Sequence, residues 1–301
     1  LASNSGFRVT PSVLDVLDSE LLEEVAKFLE NEKSHYKFRN VWRRWILYTG
    51  SAKLRASGMG VTEVARVLSK RYGLNVRSST ITNWDRRYSP IGRNVVPLVT
   101  PELGYLLGAA MGDGSANLSI GALVFQNLAD LDFAESILQS ARTGAWIRFN
   151  AKRGTHTVIA SNKILCELVT VAKSRPMILL PVLTVSKEVA ASAIAGFFDA
   201  DGTVGRSVEA IVTRSSVITL FAKLMRVAEI HHTRSTSRQR EWMTSPLDGK
   251  QYRRNSTFLY RLVVRRCCTC RFARTVGFRI LRKQSALEEM ISKIRLRKTC
   301  S

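Results

Sequence analysis

The sequence predicts an α+β chain: a small all-α domain over residues 1–95, then a pseudo-twofold pair of αββαββα units over 101–180 and 181–301. Three observations predict it. LLGAAMGDGS (Leu106–Ser115) returns as AGFFDADGTV (Ala195–Val204), with small residues and an Asp-Gly pair in matching places. The same succession of helix-period and strand-period patterning follows each string. Between the helical part and the first string lies PIGRNVVPLVTP (Pro90–Pro101), whose three prolines and one glycine stop helix and strand alike and read as a linker.

Composition bounds the function. The 301 residues are 45% hydrophobic, enough for packed cores, so the chain is not a disordered polycation. Lys and Arg number 46 against 24 Asp and Glu, a formal charge of +22 that points to a polyanionic partner, above all nucleic acid. No apolar run approaches the roughly 18–20 residues of a spanning helix, so no membrane partner is expected. The opening LASNSGFRVTPSVLD lacks the basic-then-apolar pattern of a secretory leader, and an intracellular location is expected, whether cytoplasm, nucleoid or organelle. Five cysteines, three of them in CCTC, make no disulfide framework. Without a second Cys pair at finger spacing beside His231 and His232, they read as reduced thiols rather than a zinc site.

In chain order, residues 12–30 read as one amphipathic helix with Leu14, Leu17, Leu21, Val25 and Phe28 on its apolar face. NVWRRWIL begins a second, with Trp42 and Trp45 as core residues. From Lys53 to Ser89, Thr62 is a candidate cap for a helix carrying Val64, Val67 and Leu68; Gly73 ends it; Ser78 or Ser79 caps the next, which carries Ile81 and Trp84. Two short helices joined by a Gly-containing turn have the helix-turn-helix shape, and the stretch resembles the modules of transposase-like and recombinase-like proteins. That resemblance puts Ser79, Thr80, Asn83, Arg86 and Arg87 against DNA. As an addition to the two repeated units, the N-terminal domain is expected to lengthen the recognised site asymmetrically on one flank.

Beyond the linker, the first unit reads as helix 102–112, hairpin 115–126, helix 129–141, hairpin 145–160 and helix 162–173. The second reads as helix 187–200, strands 203–213, helix 216–228, a long hairpin turning at Asp248-Gly249, and a helix near 268–276, with a last helix over 284–294. Gly108, Asp113 and Gly114 fall on Gly196, Asp201 and Gly202. Small residues four apart let two helices pack backbone to backbone and bring their C-terminal ends together. An Asp there opposes the helix dipole, and two side by side repel. A divalent cation between them reverses both penalties, and Mg²⁺ suits carboxylate and carbonyl oxygens. DADG is no EF-hand loop, because Val204 stands where that loop needs glycine.

LLGAAMGDG and IAGFFDADG resemble the paired motifs of single-chain LAGLIDADG homing endonucleases, over about two thirds of the chain. Met111 and Gly112 stand where the signature has Asp and Ala. The resemblance implies a monomer that makes a staggered double-strand break in a long pseudo-palindromic DNA target, in the homing of an intron or similar element. It implies that Asp113 and Asp201 ligate Mg²⁺ with the carbonyls of Gly112 and Ala200, Mn²⁺ or Ca²⁺ substituting for binding; Asp199 holds a position not required for metal. Gln126, Arg214 and Arg265 are the implied polar and basic helpers, and the family's usual accessory lysine has no clear counterpart at these places. Two saddle-shaped sheets would lie in the major groove. Their candidate DNA contacts are Arg148, Lys152, Arg153 and His156 from the first unit, and Arg206, Arg234, Arg238, Arg240, Arg253, Arg254 and Arg261 from the second. The basic tail helix, from Arg282 and Lys283 on, would add backbone contacts. A sequence-specific regulator without cleavage and an intron-RNA maturase are the alternatives. Self-splicing is not expected, since LASN and RKTCS are not splicing ends.

Overall fold

The computed structural model describes residues 10–32, 40–86, 89–92, 94–141, 144–238, 242–244, 251–253 and 258–299. The expected first helix is two, α1 (Val13–Val16) and α2 (Ser19–Glu32). Asp18 divides them: its Oδ1 accepts the backbone N–H of Glu20 at 3.0 Å and of Leu21 at 2.9 Å, starting a new helix. In α3 (Val41–Ala56) Trp42 is fully buried, as its apolar position required.

Helices α4 (Val61–Tyr72) and α5 (Ser78–Asp85) are joined by a short turn and start on other caps than expected. Gly60 and Arg77 precede them without side-chain capping bonds, which leaves Thr62, Ser78 and Ser79 inside the first turns. The turn is fixed instead by Ser69, whose hydroxyl accepts Val76 N–H at 3.0 Å. Gly73 ends α4 at φ +63°, with nothing within 4 Å of where a Cβ would stand, so only backbone conformation demands glycine there. Gly73→Ala is expected to lower stability by about 1 kcal/mol, read as a shifted denaturant midpoint at constant slope.

The first unit is α6 (Pro101–Gly112), β1 (Gly114–Asn117), β2 (Ala122–Leu128), α7 (Leu131–Ala141), β3 (Ala145–Asn150), β4 (Thr155–Ser161) and α8 (Lys163–Ser174). After α9 (Leu180–Leu183), the second is α10 (Lys187–Asp201), β5 (Gly202–Val204), β6 (Val208–Val212), α11 (Ser215–Val227), β7 (His232–Arg238), β10 (Phe258–Val264) and α12 (Thr269–Thr275). Strands β8 (Trp242–Thr244) and β9 (Gln251–Arg253) pair as a separate ribbon; the expected turn at Asp248-Gly249 lies outside the described residues. Helix α13 (Leu281–Thr299) closes the described chain and is longer than expected. The sheets have orders β1-β2-β4-β3 and β5-β6-β10-β7, the same topology twice, all antiparallel.

Each sheet turns one face to the core, through residues such as Phe125 and Val158 in one and Ala210 and Leu262 in the other. That core does not stop at the Pro-rich segment. Val13, Leu14, Leu29, Trp42 and Ile46 belong to it, whereas Leu47, Val64, Leu68, Ile81 and Trp84 form a second, separate cluster. The segment read as a linker is tied down by Val13 N–H to Pro97 O (3.0 Å) and Val99 N–H to Pro11 O (2.8 Å). No helix among the described residues is long and apolar enough to cross a membrane.

Candidate active site at the two-helix seam

Helices α6 and α10 meet backbone to backbone. A Cβ on Gly108 would stand 2.0 Å from the Ala193 carbonyl oxygen, one on Gly196 2.1 Å from that of Tyr105, and one on Gly104 2.6 Å from that of Val189. Toward the C-terminal ends, a Cβ on Gly112 would lie 2.5 Å from Ala200 Cβ and 3.0 Å from Asp201 Oδ2. The Asp201 carboxylate therefore reaches across the seam to the end of the helix that Asp113 caps.

The two acids share an unfavourable field. Burial, then the charge of Asp113, pushes the Asp201 carboxyl up to about 6, against the pull of Lys173, Lys283 and Arg214. Asp113 is raised by burial, opposed by Lys283 and Lys173. Lys173, in the last turn of α8, donates to Met111 O at 3.2 Å and Gly112 O at 3.3 Å. Burial, and then the Arg214 charge, brings its amine down to about 8 despite both acids. Lys283, in the first turn of α13, donates to Phe198 O at 3.0 Å and Asp199 O at 2.6 Å, and its pKa too is lowered chiefly by burial. Each lysine thus donates to carbonyls in the last turn of one helix and sets a cation where the dipole favours it.

These lysines are what sequence reasoning missed: Lys173 received no role, and Lys283 was placed among tail contacts to phosphate. A signal existed. Lys283 falls three residues after Ile280 and four before Leu287, on the buried stripe of its helix, and Lys173 follows buried Val169 and Cys166 at i+4 and i+7. A lysine on an apolar stripe needs a partner, and here the partners are helix ends.

Among the predicted helpers, Gln126 is exposed one step past the Gly114–Phe125 pair, hence across the ladder from Asp113; a bulge follows, with Asn127 at φ +57°. Its counterpart in the second sheet is Ile211 rather than Arg214, because Gly202 pairs with Ala210 as Gly114 pairs with Phe125. Arg214 still reaches the site from the N-terminus of α11, where it donates to the Lys173 carbonyl and lowers the pKa of both Asp201 and Lys173. Arg265 does not: its N–H bonds His231 O at 2.9 Å, and its charge acts on His232.

Asp199 spends its carboxylate within the protein. It accepts from Tyr105 Oη at 2.7 Å and from the N–H groups of Arg279 (3.0 Å) and Ile280 (3.4 Å), fixing the turn that leads to Lys283. Its pKa is raised by burial, against those bonds.

The arginines divide by register. Arg148 and Arg261 pair with Thr157 and Ile211 on the open sheet faces, where Arg261 also lies 3.7 Å from Glu209. Arg234 and Arg238 pair with Leu262 and Phe258, and so project to the side that carries the buried residues. Lys152, Arg153 and Arg206 are exposed at hairpin turns, and the His156 ring lies 5.0 Å from that of Phe149. Ser79 and Asn83 are exposed on α5, with Thr80 half-buried, and Arg86 is exposed at its C-cap. Arg253 lies on β9; Arg87, Arg240 and Arg254 fall outside the described residues.

Among the described residues no group of three or more His, Cys, Asp and Glu is placed so as to hold a metal ion. The two seam carboxylates are all-oxygen donors whose mutual repulsion the nearby cations offset only in part, since Asp201 stays raised, and they fit a hard divalent cation that keeps part of its water.

No family model matches the sequence, and no curated protein matches it. Among solved structures, the chain is similar to the homing endonuclease I-DmoI in complex with DNA and Ca: 13% identity over 64% of this chain and 98% of that one, TM-score 0.43. It is similar also to mesophilic variants of I-DmoI (14% identity, 59% and 96% covered, TM-score 0.39). For I-DmoI in complex with DNA and Mn, the figures are 13%, 59% and 97%, with TM-score 0.39.

Proposed function

We propose that the protein is a divalent-metal-dependent DNA endonuclease, with Asp113 and Asp201 as metal ligands and duplex DNA laid across the two sheets. One observation carries this reading: two acids from equivalent places in two repeats meet at a helix seam, each beside its own lysine-capped helix end. Two like charges held together in a partly buried site are costly for the protein alone, and a bound cation would offset that cost. The net charge of +22 supplies the long-range attraction for a polyanion.

A divalent ion, when bound, supplies Lewis-acid polarisation of the phosphate and an activated water. Hydrolysis adds water to phosphorus and breaks the P–O3′ bond, so negative charge gathers on the phosphate and on the departing oxygen. Lys173, Lys283 and Arg214 ring the acids, and their charges offset that build-up. Lys173, titrating near 8, can hold or release a proton at neutral pH. Two pseudo-equivalent acids suit two strands, hence a double-strand cut, and Mg²⁺ is the natural ion for this donor set.

The test is cleavage of a randomised duplex library in Mg²⁺, with recovered ends sequenced. Paired, staggered ends at one sequence are expected; selective binding with no cut under any divalent ion would sink the reading and favour a regulator. Lys173→Met is expected to slow single-turnover cleavage about a hundredfold and leave target affinity within a few-fold. Unchanged cleavage would assign Lys173 to helix capping alone.

A further inference from the structure

We infer that α3–α5 is a second duplex-reading surface, held by α3 at a fixed distance and helical phase from the two acids, so that the protein reads one flank of its target at one spacing only.

The unit has its own apolar core of Leu47, Val64, Ala65, Leu68, Ile81 and Trp84. With Ile81 and Trp84 turned inward, Ser79 and Asn83 of α5 and Arg86 at its C-cap stand exposed at i, i+4 and i+7 on the opposite side. Two helices joined by a short turn present their second helix to the major groove, and polar side chains three and four apart are the set that meets base edges there. Charge favours the same partner. Residues 47–86 contain only Glu63 and Asp85 as acids, and Asp85 is bound by Arg55 at 3.2 Å, while Arg66, Lys70, Arg71, Arg77 and Arg86 are exposed.

The fixed phase comes from α3. It is one unbroken helix of 16 residues, about 24 Å long at 1.5 Å per residue. Its first half, through Val41, Trp42 and Ile46, is part of the main core; its second half begins the other core at Leu47. Its start is locked to α2. Asn40 caps it, accepting Trp42 N–H at 3.0 Å, and donates to Ala26 O at 3.0 Å. Buried Arg43 binds Glu23 at 2.5 Å and Glu30 at 3.0 Å. Helix α2 is in turn held to the end of α8 by Glu24 and Arg175 at 2.6 Å. Gly50 does not loosen the rod, because Leu68 of α4 packs 3.3 Å from where its Cβ would be. With no flexible tether between the two surfaces along α3, the flank cannot be read at variable spacing.

This role rests on duplex DNA as partner and not on cleavage, so it is tested in EDTA. Full-length protein and a Ser79→Ala/Asn83→Ala/Arg86→Ala variant, all exposed sites, are each used to enrich binders from a randomised duplex library. Wild type is expected to select a central site plus a short block on one flank, and the variant the central site alone, with affinity for the full site lowered ten- to a hundredfold. Five base pairs inserted between block and centre turn the block to the far side of the duplex, and wild type is expected to lose the same factor. Identical selected motifs for the two proteins, or enrichment of no duplex, overturns the second reading surface. Full affinity after insertion overturns the fixed arm. Absence of cleavage in Mg²⁺ with the flank block intact sinks the nuclease reading alone.

Discussion

Asp201→Asn is expected to lower cleavage by on the order of a thousandfold or more, because a carboxylate ligand worth several kcal/mol in the transition state is lost, while the metal-free protein becomes more stable at neutral pH. The second half follows from the pKa. Asp201 ionises at 3.8 as an isolated side chain and at about 6 in the fold, so the fold prefers its protonated form. Its contribution to stability is fully present below the unfolded value and is lost as pH rises through 6. A shift of that size corresponds to about 3 kcal/mol at pH 7. Lys173, lowered to about 8, acts at the other limb: its penalty is present while it is charged and fades as pH rises above 8. Metal-free protein is therefore expected to have a stability trough between about pH 6 and 8, read from urea midpoints in EDTA. Asp201→Asn removes the acid limb, and added Mg²⁺ raises the wild-type midpoint but not that of the variant. A variant that cut DNA at the wild-type rate would remove Asp201 from the metal site. One that melted at the same midpoint with the same pH profile would deny that its charge is strained.

What the sequence disclosed about this site was what is encoded locally. The glycine spacing shared by the two strings pointed to a close helix pair, and the Asp-Gly ends pointed to where the acids would meet. The apolar positions Val64, Leu68, Ile81 and Trp84 marked the inside of the small α3–α5 core. Side chains that arrive from distant elements were hidden. Lys173 and Lys283 come from helices at the far ends of their units, and periodicity says that a lysine is buried without saying which helix end it meets. Arg214 was matched to Gln126 by position along the chain, whereas strand pairing decides equivalence and gives that place to Ile211. The break at Asp18 was hidden for a related reason: an Asp that caps the following turn looks, in a helical projection, like any other residue on the polar face.

Gly108→Ala tests the seam itself, and its effect should reach the chemistry. The new methyl would stand 2.0 Å from the Ala193 carbonyl oxygen and 3.0 Å from the Phe197 nitrogen, both backbone atoms that no rotamer change can move. Relief requires the two helices to part by roughly 1 Å, which opens a packed core; the expected cost is about 3 kcal/mol or more, at the upper end for overpacking. Parting the helices also separates Asp113 from Asp201, and a misplacement of that size is expected to slow cleavage about a hundredfold under conditions where the protein is still folded. Two controls isolate the cause. Gly50→Ala, also within a helix, places its Cβ 3.3 Å from the flexible end of Leu68 and should change stability by less than about 1 kcal/mol. Ala193→Gly should not rescue Gly108→Ala, because the clash is with the carbonyl of residue 193 and not with its side chain. Rescue by that second change, or a Gly108→Ala protein with wild-type midpoint and rate, would mean that the helices are farther apart than a backbone-to-backbone seam allows, and the two acids with them.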